Sequence, residues 1–379
     1  MIRRHQASDI DEIIALEREV LDTSLDRKIF ELALTSELAY YYVYEEDNKI
    51  LGYISSMFDG EIIEILNFCV KKEYQNKHIG TKLFSQVLKE LYSKGAKSVI
   101  LEVMESNLNA INFYKRFGLK KISVRKNYYK NGENALVLQK VFIDKDEIER
   151  EYLKCFCKIK DEKSYIKYSD DIQKDKYCHN FYFIKDSGKL DKLLFKLEKD
   201  NNKEFLEIDS KSKLNLSEFD EDEEIRMYSP ISLIKEDYRI GEVKVLEIDN
   251  KNDYYQVEYK TSVKYGENYA KSNALRLTDE LIKNDNLIGF VIYSNNIPVG
   301  IIHAFKYKEC AKIEGFGVLD EYQKKGYGIS LFSYVVKYLK SIGIYDLYLT
   351  ADNLDTPKEI YYKLGFDLLD YNYNYHKDL

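Results

Sequence analysis

Tryptophan is absent from this sequence of 379 residues, and only three prolines and five cysteines occur. The cysteines are too few and too scattered for a secreted disulfide scaffold, which predicts free thiols. No apolar run approaches the roughly 18 residues that a membrane-spanning helix needs, and the first residues lack the apolar region of a signal peptide. These absences predict a soluble, cytoplasmic protein. The five cysteines are Cys69, Cys155, Cys157, Cys178 and Cys310.

An excess of positive charge is also missing. The 58 lysines and arginines are interspersed with 65 aspartates and glutamates, and the net charge of -7 leaves no basic field suited to DNA or RNA. Cys155 and Cys157, with Cys178 and His179, lack the paired turns that zinc sites use, so ordinary thiols are expected there. We therefore expect no nucleic-acid, membrane or metal partner. No pattern indicates an oligomeric state.

A polar, glycine-containing segment occurs twice, 248 positions apart. Residues 73–84 recur as residues 321–332, and the same offset relates Gly95 to Gly343. Each copy lies between an apolar strand pattern and an amphipathic helix pattern, so several backbone N–H groups and a helix N-terminus would converge on one spot. The repeat predicts a duplicated architecture with two phosphate-binding loops.

The first 142 residues alternate between helix and strand patterns. The periodicity predicts helices over residues 9–17, 80–94 and 108–117, and strands over residues 39–44, 49–58, 61–70, 98–104 and 135–138. This alternation predicts an α/β unit with a β-sheet flanked by helices.

Residues 143–230 are folded but less regular. They begin with a charged helix near residue 144, and strands over 181–184 and 205–208 flank a helix over 190–198. The acidic run 220–224 is predicted as a solvated loop that, with Pro230, precedes the last unit. From there the first pattern returns, with a helical region over 254–281 and strands over 287–293, 299–305 and 312–318. We predict domains at 1–142 and 231–379, with the α/β segment 143–230 grouped with the second.

These motifs resemble the GNAT superfamily of acyl-CoA-dependent N-acetyltransferases. The loop signature of that superfamily is Gln/Arg-x-x-Gly-x-Gly/Ala, which the second copy meets with Gln323, Gly326 and Gly328. The first copy keeps Gln75 and Gly80 but has His78 at the first glycine. Over nearly its whole length the first unit is similar to the ribosomal-protein alanine N-acetyltransferase branch. The residues that carry this similarity are 66–70, 101–107, 113–118 and 125–129.

The resemblance implies two tandem units that use acetyl-CoA. In such enzymes the strand before the loop contributes backbone groups to the thioester and pantetheine, and the loop N–H groups hold the pyrophosphate. In the first unit the matching cofactor positions are Phe68, Cys69, Val70, Gln75, Asn76, Lys77, His78, Ile79, Gly80 and Thr81, with Asn107 at the pantetheine arm. In the second unit they are Phe316, Gly317, Val318, Gln323, Lys324, Lys325, Gly326, Tyr327, Gly328 and Ile329, with Asn353 corresponding to Asn107 after a two-residue shift.

Acetyl transfer to an amine needs a base for the ammonium proton and an acid for the leaving thiolate. By resemblance, Glu102 is the base and Tyr114 the acid. Glu64 shares a strand face with Leu66 and Phe68, which makes it a reserve base. A phenol with a pKa near 10 can donate a proton to a thiolate. The non-functional alternatives are a surface carboxylate for Glu102 and a packed side chain for Tyr114. Because the chain has 35 tyrosines, any single tyrosine is weak support for a catalytic role. The surrounding motif favours the functional reading.

The second unit differs at these positions. Tyr361 matches Tyr114, but Thr350 stands where Glu102 would be. Glu314 could replace the missing base because it alternates with Phe316 on one strand face, although a structural carboxylate is at least as well supported.

Two further departures concern the acceptor. The Pro-Trp-containing substrate loop of the branch is missing from residues 21–25, and Asn134 replaces the usual acidic residue. The predicted function is acetyl transfer from acetyl-CoA to a primary amine, either a protein N-terminus or a small molecule. One alternative is an acyl-CoA-binding tandem module in which one or both units are non-catalytic. Another resembles two-unit acetyltransferases of small thiol or amino-sugar metabolism, with one working unit.

Overall fold

The chain forms two compact units, Met1–Asp144 and Lys145–Leu379. The computed structural model describes residues 1–21, 25–174, 176–185, 194–197, 199, 205–234, 236–353 and 357–378. Each unit contains one mixed β-sheet flanked by helices, which confirms the predicted α/β class. No helix in these ranges is both long enough and apolar enough to cross a bilayer.

The first unit has a seven-stranded sheet in the order β1-β2-β3-β4-β5-β7-β6. Only the β4–β5 pair is parallel. The strands are β1 (Ile2–Arg4), β2 (Tyr42–Glu46), β3 (Lys49–Phe58), β4 (Ile62–Val70), β5 (Ser98–Met104), β6 (Lys120–Arg125) and β7 (Ala135–Val141). The helices are α1 (Ile10–Leu21), α2 (Arg27–Ala33), α3 (Ile79–Ser93) and α4 (Leu108–Lys115).

Apolar spacing explains the helices of this unit. In α1, Ile10, Ile13 and Leu16 are buried against β-strand residues such as Tyr53. In α3 the buried residues follow the 3.6-residue period, so one face packs on the sheet and the N-terminus stays at the loop before it. The predictions for both helices and for β3, β4, β5 and β7 are confirmed, whereas β1 and β6 were missed.

The second unit has an eleven-stranded sheet in the order β13-β14-β15-β16-β17-β12-β18-β11-β10-β9-β8. Its strands are β8 (Lys158–Asp161), β9 (Tyr165–Ser169), β10 (Tyr182–Ile184), β11 (Phe205–Ser210), β12 (Asp220–Pro230), β13 (Glu242–Val245), β14 (Leu287–Ser294), β15 (Ile297–Tyr307), β16 (Cys310–Val318), β17 (Asp346–Asp352) and β18 (Asp367–Asp378). The helices are α5 (Lys145–Leu153), α6 (Lys251–Ser262), α7 (Glu267–Lys283), α8 (Tyr327–Ser341) and α9 (Pro357–Leu364). Residues 143–230 thus contribute strands to the sheet that residues 231–379 complete.

The acidic run 220–224 begins strand β12 and is not the solvated loop that its charge predicted. It pairs with β18, and from Glu224 onward β12 also pairs with β17. Further along β12, Ile225 and Met227 are buried in the main apolar core of the unit, so pairing on both sides fixes an extended conformation despite the charge. Of the helix predicted over 190–198, residues 194–197 are helical and the others fall largely outside the described residues.

Strand β12 occupies the place that β7 occupies in the first unit. β7 lies antiparallel beside β5, between β5 and β6. β12 lies antiparallel beside β17, between β17 and β18. The first unit takes this strand from residues after its loop and helices, and the second takes it from residues before them.

Candidate functional site

In each unit the strand before the loop runs parallel to the strand after the following helix, and the two pair over four residues and then separate. The β4–β5 pairing ends at Ile65 and Leu101, so Leu66 and Glu102 are the first residues beyond it. Past this point residues 68–70 have no β5 partner along that edge, which leaves backbone groups of β4 available to a ligand.

The second unit has the same gap with different side chains. The β16–β17 pairing ends at Ile313 and Leu349, and the next residues are Glu314 and Thr350. With the offset of 248, Glu314 corresponds to Leu66 and Thr350 to Glu102. The carboxylate at the gap has therefore moved from the β5 side in the first unit to the β16 side in the second.

The loop glutamine of each unit holds the loop on the preceding strand. The Gln75 Nε2 donates to the Val70 backbone oxygen at 3.1 Å, and the Gln323 Nε2 donates to the Val318 backbone oxygen at 3.0 Å. Both glutamine side chains therefore bind the protein backbone. They would assist cofactor binding only by holding the loop in place.

The N-terminus of the helix after each loop presents unused donors. Within the described residues, no hydrogen bond involves the backbone N–H groups of 76–81 or of 324–329 as donors. Lys77 and Lys325 add positive charge, and each lies over a tyrosine ring of its own loop. Six orphan N–H groups at a helix N-terminus fit a pyrophosphate, so these loops suit the cofactor that the resemblance implies.

A phenylalanine ring packs over the first turn of each of these helices. A Cβ added at Gly80 would lie 3.2 Å from Phe68 Cζ, and one added at Gly328 would lie 3.3 Å from Phe316 Cζ. Glycine at this position lets the strand phenylalanine approach the helix closely. The two units share this arrangement.

The loops differ at the residue that caps the helix. His78 has φ of 62° and Gly326 has φ of 95°, so both lie in the left-handed region. This conformation costs a non-glycine residue about 1 kcal/mol.

We expect His78→Gly to stabilise the first unit by about 0.5–1 kcal/mol, because glycine adopts this φ without a Cβ penalty. Chemical denaturation of the full chain followed by circular dichroism measures the change. The reciprocal control is Gly326→His, which should destabilise the second unit by a similar amount. Equal stability of wild type and both variants would contradict the strain at His78.

Glu102 is held by a cluster of side chains near the gap in the first unit. Its Oε1 pairs with Arg125 Nη1 at 2.6 Å. A hydrogen bond to Glu102 raises the pKa of Tyr128. Burial and then the Glu102 charge raise the pKa of Tyr129 to about 12. The carboxylate is thus held in place by an ion pair and a hydrogen bond.

Tyr114 lies in a buried aromatic cluster. Its ring centroid is 5.5 Å from that of Phe84 and 6.5 Å from that of Phe68. Burial raises the pKa of Tyr114, and the Tyr129 hydroxyl and then Cys69 raise it further. The phenol therefore stays protonated at neutral pH, as an acid must. The Tyr129 hydroxyl interacts electrostatically with both Glu102 and Tyr114.

Two other predicted cofactor residues of the first unit have structural contacts of their own. Cys69 is buried in the core beneath α1, and burial raises the pKa of its thiol, so only its backbone can reach a ligand. Asn107 is the N-cap of α4, where its Oδ1 accepts from Ala110 N at 3.1 Å. Its amide Nδ2 donates to none of the described residues and is free to reach a pantetheine arm.

The sequence predictions did not include Glu17, which contacts β4. Its Oε1 accepts from Asn67 Nδ2 at 2.6 Å and its Oε2 from Leu25 N at 2.8 Å. Glu17 therefore joins β4 to the end of the 21–25 segment, of which residues 22–24 lie outside the described residues. Burial raises the pKa of Glu17. A charged residue one turn after Ile13 on the apolar face of α1 was the available signal.

In the second unit, Glu314 and Tyr361 interact electrostatically. Burial and then the Glu314 carboxylate raise the pKa of Tyr361 to about 12. Glu314 also forms an ion pair with Lys312, which pairs with Glu149 at 2.8 Å. Asn353 is tied to β12, because its Nδ2 donates to Glu223 and its backbone N–H donates to the Glu223 backbone oxygen.

A cavity of about 580 Å³ reaches this gap in the second unit. Its wall includes Glu314 and Thr350, together with carboxylates that the sequence predictions did not select. The missed signal was the alternation of polar and apolar residues from Glu224 through Met227, which marks a strand with one polar face. The acidic run before it obscured that pattern.

The carboxylate of Glu224 is unusual for its raised pKa. Burial, Glu149 and Glu314 raise the pKa of Glu224 to about 7, while Lys312 and Asn374 act in the opposite direction. A pKa above the unfolded value means that the folded state keeps a proton that the unfolded state releases. The stability that the protonated Glu224 carboxyl contributes is fully present below about pH 4.5 and is lost as the pH rises through about 7.

We expect Glu224→Gln to gain stability relative to the wild type as the pH rises from 5 to 8, by at most about 3 kcal/mol, because the amide carries no proton to lose. Denaturation curves of both proteins at several pH values give the difference. The comparison cancels groups whose pKa does not depend on the Glu224 charge, such as His179, whose pKa burial lowers to about 4. A constant difference across this pH range would contradict the shifted carboxyl.

All five cysteines are free thiols. In the parts of the chain that the structure describes, no group of three or more histidine, cysteine, aspartate or glutamate residues is arranged to hold a metal ion. Cys157 and His179 contact each other through the thiol and the His179 backbone oxygen at 3.4 Å.

Known proteins resemble this chain in sequence and fold. The model of the acetyltransferase (GNAT) family matches residues 8–119 and 250–366. A putative [ribosomal protein bS18]-alanine N-acetyltransferase of Bacillus subtilis (strain 168) is 33% identical over 140 residues, which are 36% of this chain and 92% of that protein. An N-alpha-acetyltransferase of Sulfurisphaera tokodaii is 31% identical over 155 residues, covering 36% of this chain and 90% of that protein.

A solved structure shares the fold over a longer stretch. A functionally unknown conserved protein from Staphylococcus epidermidis ATCC 12228 superposes with a TM-score of 0.51 and 23% identity, covering 58% of this chain and 93% of that chain. At this identity the likeness shows the fold alone.

Proposed function

The chain belongs to the GNAT family of acetyltransferases and is an acetyl-CoA-dependent N-acetyltransferase with a primary amine as acceptor; from this premise we propose that its first unit acetylates protein N-termini. Similarity to relatives named as N-alpha-acetyltransferase and ribosomal-protein alanine N-acetyltransferase supports this acceptor class. The observation that carries the proposal is the position of Glu102 at the gap between β4 and β5, near Tyr129 and Tyr114.

The proposed roles follow from the chemistry of each group. Acetyl-CoA supplies the acetyl group as an activated thioester. The N–H groups of residues 76–81 hold its pyrophosphate, and the unpaired edge of residues 68–70 aligns its arm. Glu102 takes a proton from the acceptor ammonium, directly or through water, and Tyr114 donates a proton to the leaving thiolate.

An N-terminal amine suits such a base better than a lysine side chain does. The α-amino group has a pKa near 7.7–8.0, whereas lysine has a pKa near 10.4, so much more of the α-amine is neutral at pH 7. We also propose that the protein acts in the cytoplasm, where its five free thiols would stay reduced.

For the second unit we propose that residues 324–329 bind acyl-CoA in the same way, since its loop has an unstrained glycine at the helix cap. Glu314 would act as base and Tyr361 as acid. This assignment differs from that of the first unit because Thr350 has no proton-accepting carboxylate.

The decisive experiment compares two peptides of one sequence, each with an N-terminal alanine and an internal lysine, one of them blocked at its α-amine. The full chain is incubated with acetyl-CoA, and tandem mass spectrometry locates the acetyl group. We expect modification of the free α-amine and none of the blocked peptide. Acetylation of lysine in both peptides would refute N-terminal selectivity. Binding of acetyl-CoA in calorimetry without amine-dependent CoA release would favour a non-catalytic module.

A further inference from the structure

The cavity of the second unit lies between one face of its sheet and helix α5. Because side chains alternate along a strand, Glu224 and Arg226 of β12 face the cavity while Ile225 and Met227 face the apolar core. Strands β11 and β18 extend the same polar face with Asp209, Asn372 and Asn374. In the sheet register Asp209 lies opposite Asn374, and Glu224 lies opposite Asn372. The polar wall is thus a continuous surface across three adjacent strands.

Carboxylates on this wall lack cationic partners. Among the described residues, no lysine or arginine forms an ion pair with Glu207, Asp209 or Glu224. Glu207 contacts His376 at 3.0 Å, while Asp209 and Glu224 receive hydrogen bonds from the asparagines of β18. Such neutral donors leave these carboxyls without a compensating cation, and burial accordingly raises the pKa of Asp209 and of Glu224, so that a bound ammonium group would favour their ionised forms.

Most cations of the wall pair with carboxylates. Arg226 donates to both carboxylate oxygens of Asp370 and, at 2.8 Å, to Asp146. Lys312 pairs with both Glu149 and Glu314, and Lys185 pairs with Asp161. Arg150 lies 4.0 Å from Asp161 with its buried Nε unpartnered, and Lys176 donates to the neutral amide of Asn273 at 2.8 Å. Among the described residues, three carboxylates of the wall thus lack a lysine or arginine partner, whereas Lys176 is the cation that lacks a carboxylate.

The α5 side adds the carboxylate of Glu149. Its Oε2 accepts from Lys312 Nζ at 2.8 Å, and its buried Oε1 accepts no hydrogen bond of regular geometry, although the buried Tyr348 hydroxyl interacts with this carboxylate. A buried acceptor that lacks a well-aligned donor is unfavourable, so a ligand that brings N–H groups would be favoured there. The wall thus presents acceptors from both α5 and the sheet.

These acceptors are arranged for an extended ligand. No three of the carboxylate, histidine or cysteine groups in the described residues converge as a metal site requires. The cavity volume of about 580 Å³ is within the range for small-molecule sites. Charges that are spread along the wall match a molecule with separated ammonium groups better than they match a single ion.

The cavity also reaches the place where transfer would occur. Glu314 and Thr350 are the first residues beyond the β16–β17 pairing, and both line the cavity. In the first unit the corresponding positions hold Leu66 and Glu102. The carboxylate at the gap of the second unit therefore stands on the strand opposite to the one used in the first.

We propose that the second unit binds a small molecule with two or more primary amines in this cavity and acetylates the amine that reaches Glu314. The remaining ammonium groups would bind Glu224, Asp209 and Glu149. The acetylation half of this proposal rests on the proposed function of the second unit, whereas the binding half does not.

The reaction balances with acetyl-CoA alone. Glu314 accepts a proton from the ammonium, and the neutral nitrogen forms a bond to the acetyl carbonyl carbon as the carbon–sulfur bond breaks. The sulfur leaves with the electron pair of that bond and takes a proton from Tyr361. A proton leaves the acylated nitrogen, and the products are an N-acetylamine and CoA.

Three four-carbon amines test the charge requirement in the full chain. 1,4-Diaminobutane, 1-aminobutane and 4-aminobutanoate share a chain length and one ammonium group but end in a second ammonium, a methyl and a carboxylate. We expect calorimetry to show binding of the diamine about tenfold or more tighter than that of the other two. Equal affinities for all three, or no binding of the diamine, would overturn the site.

Two variants locate the binding. We expect Glu224→Gln to weaken the diamine about tenfold, because one carboxylate becomes neutral, and Asp220→Asn to leave it unchanged. Asp220 is an exposed residue of the same strand and does not line the cavity, so it matches the charge change. Unchanged diamine affinity in Glu224→Gln, with circular dichroism showing an intact fold, would overturn the assignment.

Mass spectrometry with acetyl-CoA separates the two proposals. Mono-acetylated diamine is the expected product. Diamine binding without acetylation would keep the binding site and overturn the transfer step. Acetylation of the N-terminal peptide alone, with no diamine bound, would overturn this proposal and support that for the first unit.

Discussion

Replacing Glu102 by glutamine is expected to lower the turnover of N-terminal peptide acetylation by about 100-fold or more, the usual contribution of a general base. Glutamine keeps the size of the side chain but cannot take up the ammonium proton. The ion pair with Arg125 is also lost, yet Arg125 is 57% exposed, so its loss costs little stability. The readout is the initial rate of CoA release at saturating peptide, with folding checked by circular dichroism.

Glu64→Gln is the matched control. Glu64 lies on the same sheet, but it is exposed and falls within the paired part of β4, before the gap. Its substitution should change the rate by less than about twofold, since no proton transfer at the gap depends on it. If the Glu64 variant loses activity and the Glu102 variant keeps it, the reserve base is the real one.

Truncation of Phe84 to alanine is expected to destabilise the first unit by about 3–5 kcal/mol. Phe84 is completely buried in α3 and contacts the rings of Phe68, Phe113, Tyr114 and Phe117. Removing it leaves a cavity beneath both the strand that carries the gap and the candidate acid. Urea denaturation followed by circular dichroism measures the loss of stability.

Phe84→Leu separates the loss of volume from the loss of an aromatic edge. A hydrophobic residue of similar volume should cost less than about 1.5 kcal/mol. Acetylation by folded Phe84→Leu should remain measurable, because Tyr114 keeps most of its packing. If alanine costs no more than leucine does, the cluster is not the tightly packed support that its ring distances indicate.

The first unit was largely predictable because its elements follow from local patterns. The apolar period of α3 and the largely apolar run of β3 are set by residues within one helix or one strand, and those predictions agree with the structure nearly residue for residue. The orientation of Glu17 toward Asn67 was not predictable, because it depends on contacts between α1 and β4 that are 50 residues apart.

In the second unit the sequence prediction failed where pairing with strands distant in sequence determines the conformation. The run 220–224 carries five acidic residues, and only pairing with β18 makes it a strand. The cavity was hidden for the same reason, since Asp209 and Glu224 become neighbours of Glu314 only after three separate segments share one sheet. The loop motif, in contrast, was readable because its whole chemistry lies within a dozen residues.

The place of β18 between β12 and β11 has a consequence for biosynthesis. Arg226 of β12 and Asp370 of β18 are joined by two hydrogen bonds across 144 residues of chain. While the ribosome is still translating the intervening residues, β18 is missing from its place between β11 and β12. The sheet of the second unit is therefore incomplete at that stage. The first unit is complete once residue 144 has emerged, whereas the second needs nearly all of the remaining chain. Contacts of such long range fold slowly, which makes the nascent second unit the stage most exposed to aggregation.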